Sequence, residues 1–384
     1  MGQTDVMVVG IGGIGGWCVE FLTREPSISR LVAADIRSDY GAQKLNTAVS
    51  GAYQMGYYPE TEFVRMDLLD DVSKNAEIIA NVNPRCILNC STMLTWWAPS
   101  ALLAEALKPL SDVAALGPYV ALHLKLLYHL MQAVKASGIN PYVVNGSYGD
   151  ATAPALKTQG LETTVGMGNL DNMGVLVRKQ VAEKEGVKAR DVLVYLVAHH
   201  FNNVWFSKEG PGPRPPYFIK IYVGEKDVTE KYDTFELLRN TAAGRLRLGG
   251  SGCDSQVASS QCKHAMALLN DSKILSLAPA PGGLPGGYPI RLGADGAKLA
   301  LPDGITEEEA IKLNLEGQKR DGIEEIKGDG TIVFPDAVHE AMKKVLDFDC
   351  KSFNIKDVDE VATEQMAKFK ELLSKYQKEL PYTF

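Results

Sequence analysis

The chain has 384 residues, of which 45% are hydrophobic and 23% charged, and its formal net charge is -7. That length exceeds one core of usual size, and the near-average balance of apolar and charged residues excludes a disordered, collagen-like or disulfide-scaffolded protein. The acidic balance comes without a long basic run, so nucleic acid and anionic lipid are not expected partners and a small-molecule substrate is.

The N-terminus runs almost at once into an apolar strand, Asp5 to Val9, with no basic n-region or small-residue cleavage site, and a cytoplasmic location is expected. A glycine turn follows, Gly10-Ile11-Gly12-Gly13-Ile14-Gly15, and then apolar residues at helical spacing from Trp17 to Leu22. Three more short apolar runs end in polar residues: Leu31 to Ala34 before Asp35, Phe63 to Met66 before Asp67, and Cys86 to Leu88 before Asn89, Cys90 and Ser91. Helices are expected between them at Gln43 to Gly51, Asp70 to Asn81 and Ser100 to Leu107, then from Tyr119 to Ser137, with a last strand from Pro141 to Val144. The most apolar segment, Val113 to Met131, is broken by His123, Lys125 and His129, so it reads as a buried helix and not a membrane span. Strands alternating with helices in this way imply a parallel sheet with right-handed crossovers, and the fold class expected is α/β with an N-terminal Rossmann doubly wound parallel sheet.

The glycine turn satisfies GxGxxG between a strand and a helix, a context that makes the motif specific. Gly10 permits the tight turn, Gly12 lets the backbone approach a pyrophosphate, and Gly15 lets helix and strand pack closely, while the N–H groups around Gly13 and Ile14 meet the phosphates. Asp35 lies 20 residues past Gly15, at the end of the second strand, where an acid accepts from the adenosine ribose hydroxyls. Its charge repels a 2′-phosphate and favours NAD, with Ile36 beside it. Arg37 stands two residues on and could pair with that phosphate, so NADP stays open. Asp67, followed by Leu68, either accepts from the adenine amino group or caps the next helix.

These residues, with Ala34-Asp35, Asp67-Leu68-Leu69-Asp70 and Asn89-Cys90-Ser91 after successive strands, resemble the saccharopine dehydrogenase-like family over about the first 145 residues. The resemblance implies a nicotinamide cofactor with its pyrophosphate on Gly12 to Ile14, its ribose on Asp35, its adenine near Asp67, and Cys90 and Ser91 beside it. It also implies a second α/β domain that closes over the substrate and often mediates dimerisation, so a homodimer is expected. Family members include reductases that form or cleave secondary amines between amino acids, and relatives acting on polyamines.

The expected division is a dinucleotide-binding domain over 1–145, an α+β substrate and dimerisation domain over 146–350, and a C-terminal helix over 351–384 packing back on the fold. In the second part Val192 to Ala198 and Tyr217 to Val223 read as strands, and Ile323 to Ile326 with Thr331 to Phe334 as a hairpin. Thr306 with Glu309 and Asp357 with Glu360 mark helix starts. Ala278 to Pro289 reads as the longest irregular loop, either a binding loop or a surface connector.

Ligands in such sheets lie beyond the carboxyl ends of the strands, which points to Trp97 and Tyr119 and to the loop after the last strand, with Asn145 and Tyr148, as substrate contacts. Hydride transfer needs a proton donor or acceptor, and His199 and His200 end a strand, where only one can face a given cleft. His123 and Lys125, two positions apart on the long helix and facing different directions, are further candidates, which a hydrogen-bonded core histidine and a solvated lysine would also explain. Arg214, between prolines, and Arg291, after the long loop, are candidate carboxylate clamps. The six cysteines form no CxxC pair, and no metal constellation or GxSxG elbow is visible. The function expected is NAD(P)-dependent hydride transfer to or from an imine, amine or carbonyl carbon of an amino-acid-like molecule. The rivals are a lyase, cyclase or transferase using NAD transiently, and a non-catalytic nucleotide sensor.

Overall fold

Parallel strands buried on both faces are near-continuous apolar runs, and the N-terminal half is built from them. In this computed structural model, which describes residues 3–208 and 213–382, the order is β1 (Thr4–Val9), α1 (Gly13–Leu22), β2 (Arg30–Asp35), α2 (Ser38–Gln54), β3 (Glu60–Arg65), α3 (Val72–Val82) and β4 (Pro84–Asn89). Two short helices, α4 (Ala98–Leu102) and α5 (Lys108–Ser111), lead into α6 (Val120–Ala136), β5 (Tyr142–Asn145), α7 (Gly149–Lys157) and β6 (Val165–Gly166). The six strands pair in the order β3-β2-β1-β4-β5-β6, all parallel. This is the doubly wound Rossmann sheet, with its crevice beside the carboxyl ends of β1 and β4.

Three differences from the expected elements have local causes. Ser100 to Leu107 is not one helix, because Pro99 and Pro109 each stand near the start of a short helix and suit only a first turn. The sheet does not close at Asn145: β6 lies in the stretch expected to be the crossing between domains. The segment from Ala278 to Pro289 is a hairpin and not one long loop: its two ends belong to β10 (Ile274–Pro279) and β11 (Gly287–Gly293), which run antiparallel, and residues 280–286 connect them through a 3-10 turn at Pro281–Gly283.

The second half continues with α8 (Asn169–Glu185), β7 (Val192–Val197), α9 (His200–Lys208), β8 (Phe218–Val223), β9 (Lys226–Asp227), α10 (Thr234–Asn240) and α11 (Asp254–Leu269). After β10 and β11 come β12 (Gly296–Leu299), α12 (Glu307–Asp321), β13 (Glu325–Ile326), β14 (Thr331–Val333), α13 (Asp336–Leu346), β15 (Ser352–Asn354) and α14 (Val358–Lys375). These strands form three small antiparallel sheets, β7-β8-β9, β10-β11-β12 and β13-β14-β15. The α12 start is a capping box of Thr306 and Glu309, whereas Asp357 makes no side-chain cap and Asn354 caps the turn before α14.

The two halves share one interior. Helix α11 covers the sheet face beside α1, and Leu22, Leu88, Val144, Ala258 and Leu268 belong to one apolar cluster. On the other face α14 packs against α6, with Phe369 edge-on to Tyr119. Gln261 fastens α11 to the sheet: it is fully buried, its amide donates to the Asn89 and Val144 carbonyls at 3.1 and 3.0 Å, and its oxygen accepts from the Cys90 and Cys18 thiols at 3.0 and 3.5 Å. Replacing Gln261 with alanine removes its donors from both carbonyls, leaving that of Asn89 with the Gly146 N–H at 2.8 Å, and takes the acceptor from both thiols, so the variant is expected to lose about 1–3 kcal/mol in urea unfolding.

Candidate functional site

A cavity of about 1040 Å³ opens beyond the carboxyl ends of the parallel strands. The glycine turn forms one end. Gly10 adopts φ +83°, a conformation glycine takes without strain, and a Cβ there would meet the Ser91 nitrogen at 2.8 Å. A Cβ on Gly15 would stand 1.9 Å from the Gly10 carbonyl oxygen, whereas one on Gly12 would meet nothing within 4 Å. The turn is therefore packed tight on the protein side and open at Gly12. That is a cradle which fits a pyrophosphate.

Asp35 is buried at the turn's flank. It accepts from the Ile11 backbone N–H at 2.9 Å, from the Arg37 backbone N–H at 3.0 Å, and from the Arg37 guanidinium at 3.0 and 3.3 Å. Arg37 also stacks on Tyr40, 4.3 Å from the ring centre, and its hydrogen bond to Asp35 holds its pKa up. Gly10, Gly12, Gly13, Ile14, Asp35, Ile36, Arg37, Asp67, Leu68, Cys90 and Ser91 all line the cavity; Gly15 does not, as its packing role requires.

The far end is built where β4, β5 and β7 end. Asn89 and Asn145, at matched positions on β4 and β5, bond to each other at 3.1 Å. Asn89 then holds Ser91, and Asn145 holds the Ser147 backbone and Thr152. Asn145 thus shapes the loop from beneath and does not line the cavity, contrary to its expected role as a substrate contact. Tyr148 follows with φ +47°, a left-handed backbone that costs a bulky residue of the order of 1 kcal/mol or more. Its ring packs edge-on to two imidazoles, 5.9 Å from His123 and 5.7 Å from His200.

His200 is the first residue of α9, and its backbone N–H is capped by Asp150 at 2.9 Å. Its Nδ1 lies 3.2 Å from Oδ2 of Asp321, which also accepts from the Tyr148 hydroxyl at 2.5 Å. The other Asp321 oxygen accepts from the Leu116 backbone N–H at 3.0 Å. Burial alone would push a carboxyl up, but the His200 charge and hydrogen bond, the His199 charge and the Tyr148 hydroxyl hold Asp321 below the usual range. Burial likewise pulls His200 down, yet the Asp321 charge and hydrogen bond, with the Asp150 charge, bring it above the ordinary 6.5. Tyr148 is driven far up by burial and by Asp321, so its hydroxyl stays a donor.

Several candidates lie elsewhere. His199 sits outside the cavity wall against Gly317 of α12, where burial lowers its pKa, and it reaches Asp321 at 3.7 Å. Lys125 borders the cavity, but its ammonium is held by Thr363 at 2.9 Å and the Asp359 carbonyl at 3.2 Å, which ties α6 to α14. Arg214 stacks on Tyr217 and Phe235, and Arg291 is exposed with a hydrogen bond to the Lys273 carbonyl; neither lines the cavity. The guanidinium that does, besides Arg37, is Arg247, bonded to the Thr241 carbonyl and Asn203. Trp97, Tyr119 and Tyr148 line the cavity as expected.

Asp321 escaped sequence reasoning because its partners are far away in the chain. One signal was present: an acid at a helix C-terminus opposes the dipole, so a carboxylate before the Gly322 cap calls for a cationic partner. Asp254, at the start of α11, was also missed. Its Oδ2 lies where a Gly13 Cβ would come within 2.4 Å, its Oδ1 has no partner among the described residues, and burial raises its pKa to about 6. Among the described residues no group of three or more His, Cys, Asp or Glu could hold a metal, and no helix is long and apolar enough to cross a membrane.

No family model matches the chain, and no curated protein matches it by sequence. Similar solved structures include a lactate dehydrogenase, MGS-M5, from a Medee basin deep-sea metagenome library, with a TM-score of 0.58 at 15% identity over 83% of this chain and 97% of that one. The lactate dehydrogenase of Cryptosporidium parvum, solved with lactic acid and nicotinamide adenine dinucleotide, gives 0.56 at 16% over 95% and 99%. The malate dehydrogenase of the same organism gives 0.58 at 14% over 83% and 98%. These neighbours do not support the saccharopine dehydrogenase-like resemblance; the fold this chain shares with them is that of the Rossmann dehydrogenases.

Proposed function

We propose that this chain is an NAD-dependent oxidoreductase that transfers a hydride between the cofactor and a carbonyl, carbinol or imine carbon of a polar small molecule. The observation that carries the reading is the buried His200–Asp321 pair opening on the same cavity as the glycine turn and Asp35. The bound nicotinamide supplies or accepts the hydride. His200 takes the substrate's hydroxyl or amine proton in the oxidative direction and returns it in the reductive one. Asp321 holds Nδ1, leaves Nε2 for the substrate, and stabilises the imidazolium, while the Tyr148 hydroxyl and Leu116 N–H keep the carboxylate in place.

NAD is preferred because Arg37 is committed to Asp35 and would have to break that pair to receive a 2′-phosphate. The similar lactate dehydrogenase solved with nicotinamide adenine dinucleotide supports the same choice. An amino-acid-like substrate draws no support from Arg214 or Arg291; Arg247 is the guanidinium that would meet a carboxylate. The test is NADH absorbance over a panel of keto, hydroxy and imino compounds. Turnover of any one supports the reading, and a protein that neither binds NADH nor turns over any member overturns it.

Asp254 adds a pH dependence. Protonated, it donates to a phosphate oxygen at Gly13; ionised, it repels the pyrophosphate. NADH affinity is therefore expected to fall as pH rises through about 6, and Asp254→Asn to flatten that dependence in a fluorescence titration.

A further inference from the structure

The cavity wall holds a second imidazole whose surroundings fix its tautomer. His123, on α6, is 3% exposed and lines the cavity. Its Nδ1 stands 3.0 Å from Thr92 Oγ1 and 3.4 Å from Ser147 Oγ. Each hydroxyl has one proton and spends it elsewhere: Thr92 donates to the Leu94 carbonyl at 3.0 Å, and Ser147 to the His123 carbonyl at 2.9 Å. With those two bonds kept, both oxygens offer lone pairs to Nδ1, which then carries the ring proton. Nε2 is left as an acceptor with no partner among the described residues.

Burial, helped by the His200 charge, holds the His123 pKa down at about 4, so the ring stays neutral. His200, which packs on the same Tyr148 ring, is pushed the other way. Two imidazoles in one site with opposite shifts have different work: one exchanges protons, and the other only accepts a hydrogen bond. Buried acceptors in native proteins are paired, and Nε2 has almost no exposed surface of its own, so a ligand in the cavity that His123 lines would bring the missing donor by displacing the ring or a neighbour.

We propose that His123 Nε2 determines specificity: the substrate carries, besides the group that reacts at His200, a second hydrogen-bond donor, a hydroxyl or a protonated amine, which pairs with this nitrogen. The proposal rests on the reading of His200 as the proton-transferring residue. A carboxylate brings no proton to Nε2, so a plain hydroxy or keto acid leaves it unmet.

Three probes share one secondary carbinol and differ only in the neighbouring group: isopropanol has a methyl, propylene glycol a hydroxymethyl and isopropanolamine an aminomethyl. The wild-type protein with NAD is expected to favour at least one donor-bearing probe by about tenfold in kcat/KM, the order of one hydrogen bond. His123→Phe should bring that ratio near one, and His123→Gln, whose amide oxygen still accepts, should retain part of it. A ratio unchanged in His123→Phe overturns the proposal, and the preferred probe tells hydroxyl from ammonium. Nitrogen NMR of histidine-labelled protein decides the point without turnover. His123 should carry its proton on Nδ1, and its Nε2 signal should move on adding propylene glycol or isopropanolamine with NADH but not isopropanol. A proton found on Nε2, or a signal that no donor probe moves, overturns the proposal. Absence of all turnover would count against the oxidoreductase reading alone, since the NMR result still decides His123.

Discussion

His200→Asn is expected to lower kcat by roughly a hundred- to ten-thousand-fold, the contribution of a positioned general acid–base, while NADH affinity is unchanged. The pH profile carries the sign. His200 titrates above the ordinary histidine value, so the oxidative rate, which needs the neutral ring, should rise with pH through that raised pKa; the reductive rate, which needs the imidazolium, should fall over the same range. Asp321→Asn removes the charge that raises His200, so the profile should move towards acid pH. Steady-state rates in both directions across pH check all three statements. A His200→Asn protein that keeps most of its kcat and its profile would mean that the proton goes elsewhere.

Gly15→Ala and Gly12→Ala should fail in different ways, because the two glycines serve opposite sides of the turn. The Gly15 methyl would lie 1.9 Å from a backbone oxygen that cannot give way without opening the turn, so this variant is expected to lose about 3 kcal/mol or more of stability, with its NADH binding. The Gly12 methyl meets no protein atom within 4 Å, so Gly12→Ala should unfold like the wild type in urea. It would, however, occupy the space a pyrophosphate needs, and NADH should bind about ten- to a hundred-fold more weakly, a cost of about 1–3 kcal/mol. Urea unfolding and NADH titration of both variants separate the two roles.

The N-terminal sheet was legible because its information is local. A Val-rich strand, a glycine turn and an acid 20 residues beyond Gly15 lie within one strand–helix–strand unit, and the burial that makes Leu31 to Ala34 a strand is written in its own apolar run. The reacting end was legible only in part, because it is assembled from distant segments. His200 and Asp321 lie 121 residues apart and meet only when α12 docks beside the start of α9. Gln261 and Asp254, on α11, reach the parallel sheet and its glycine turn from a segment read as part of another domain. The arginines failed for a related reason. Arg214 and Arg291 sat in suggestive loops, but strand pairing of β10 with β11 turned Arg291 outward, and aromatic rings claimed Arg214. Chain neighbours could not reveal any of this, since which face of a strand is covered is decided by elements that arrive later.

The central claim, that this cavity holds NAD on the glycine turn and Asp35, is tested most directly by titrating NADH and NADPH into the purified protein and following cofactor fluorescence. The account predicts saturable binding of one NADH per chain and markedly weaker binding of NADPH. Fluorescence that does not respond to the protein, or NADPH binding more tightly than NADH, would contradict it.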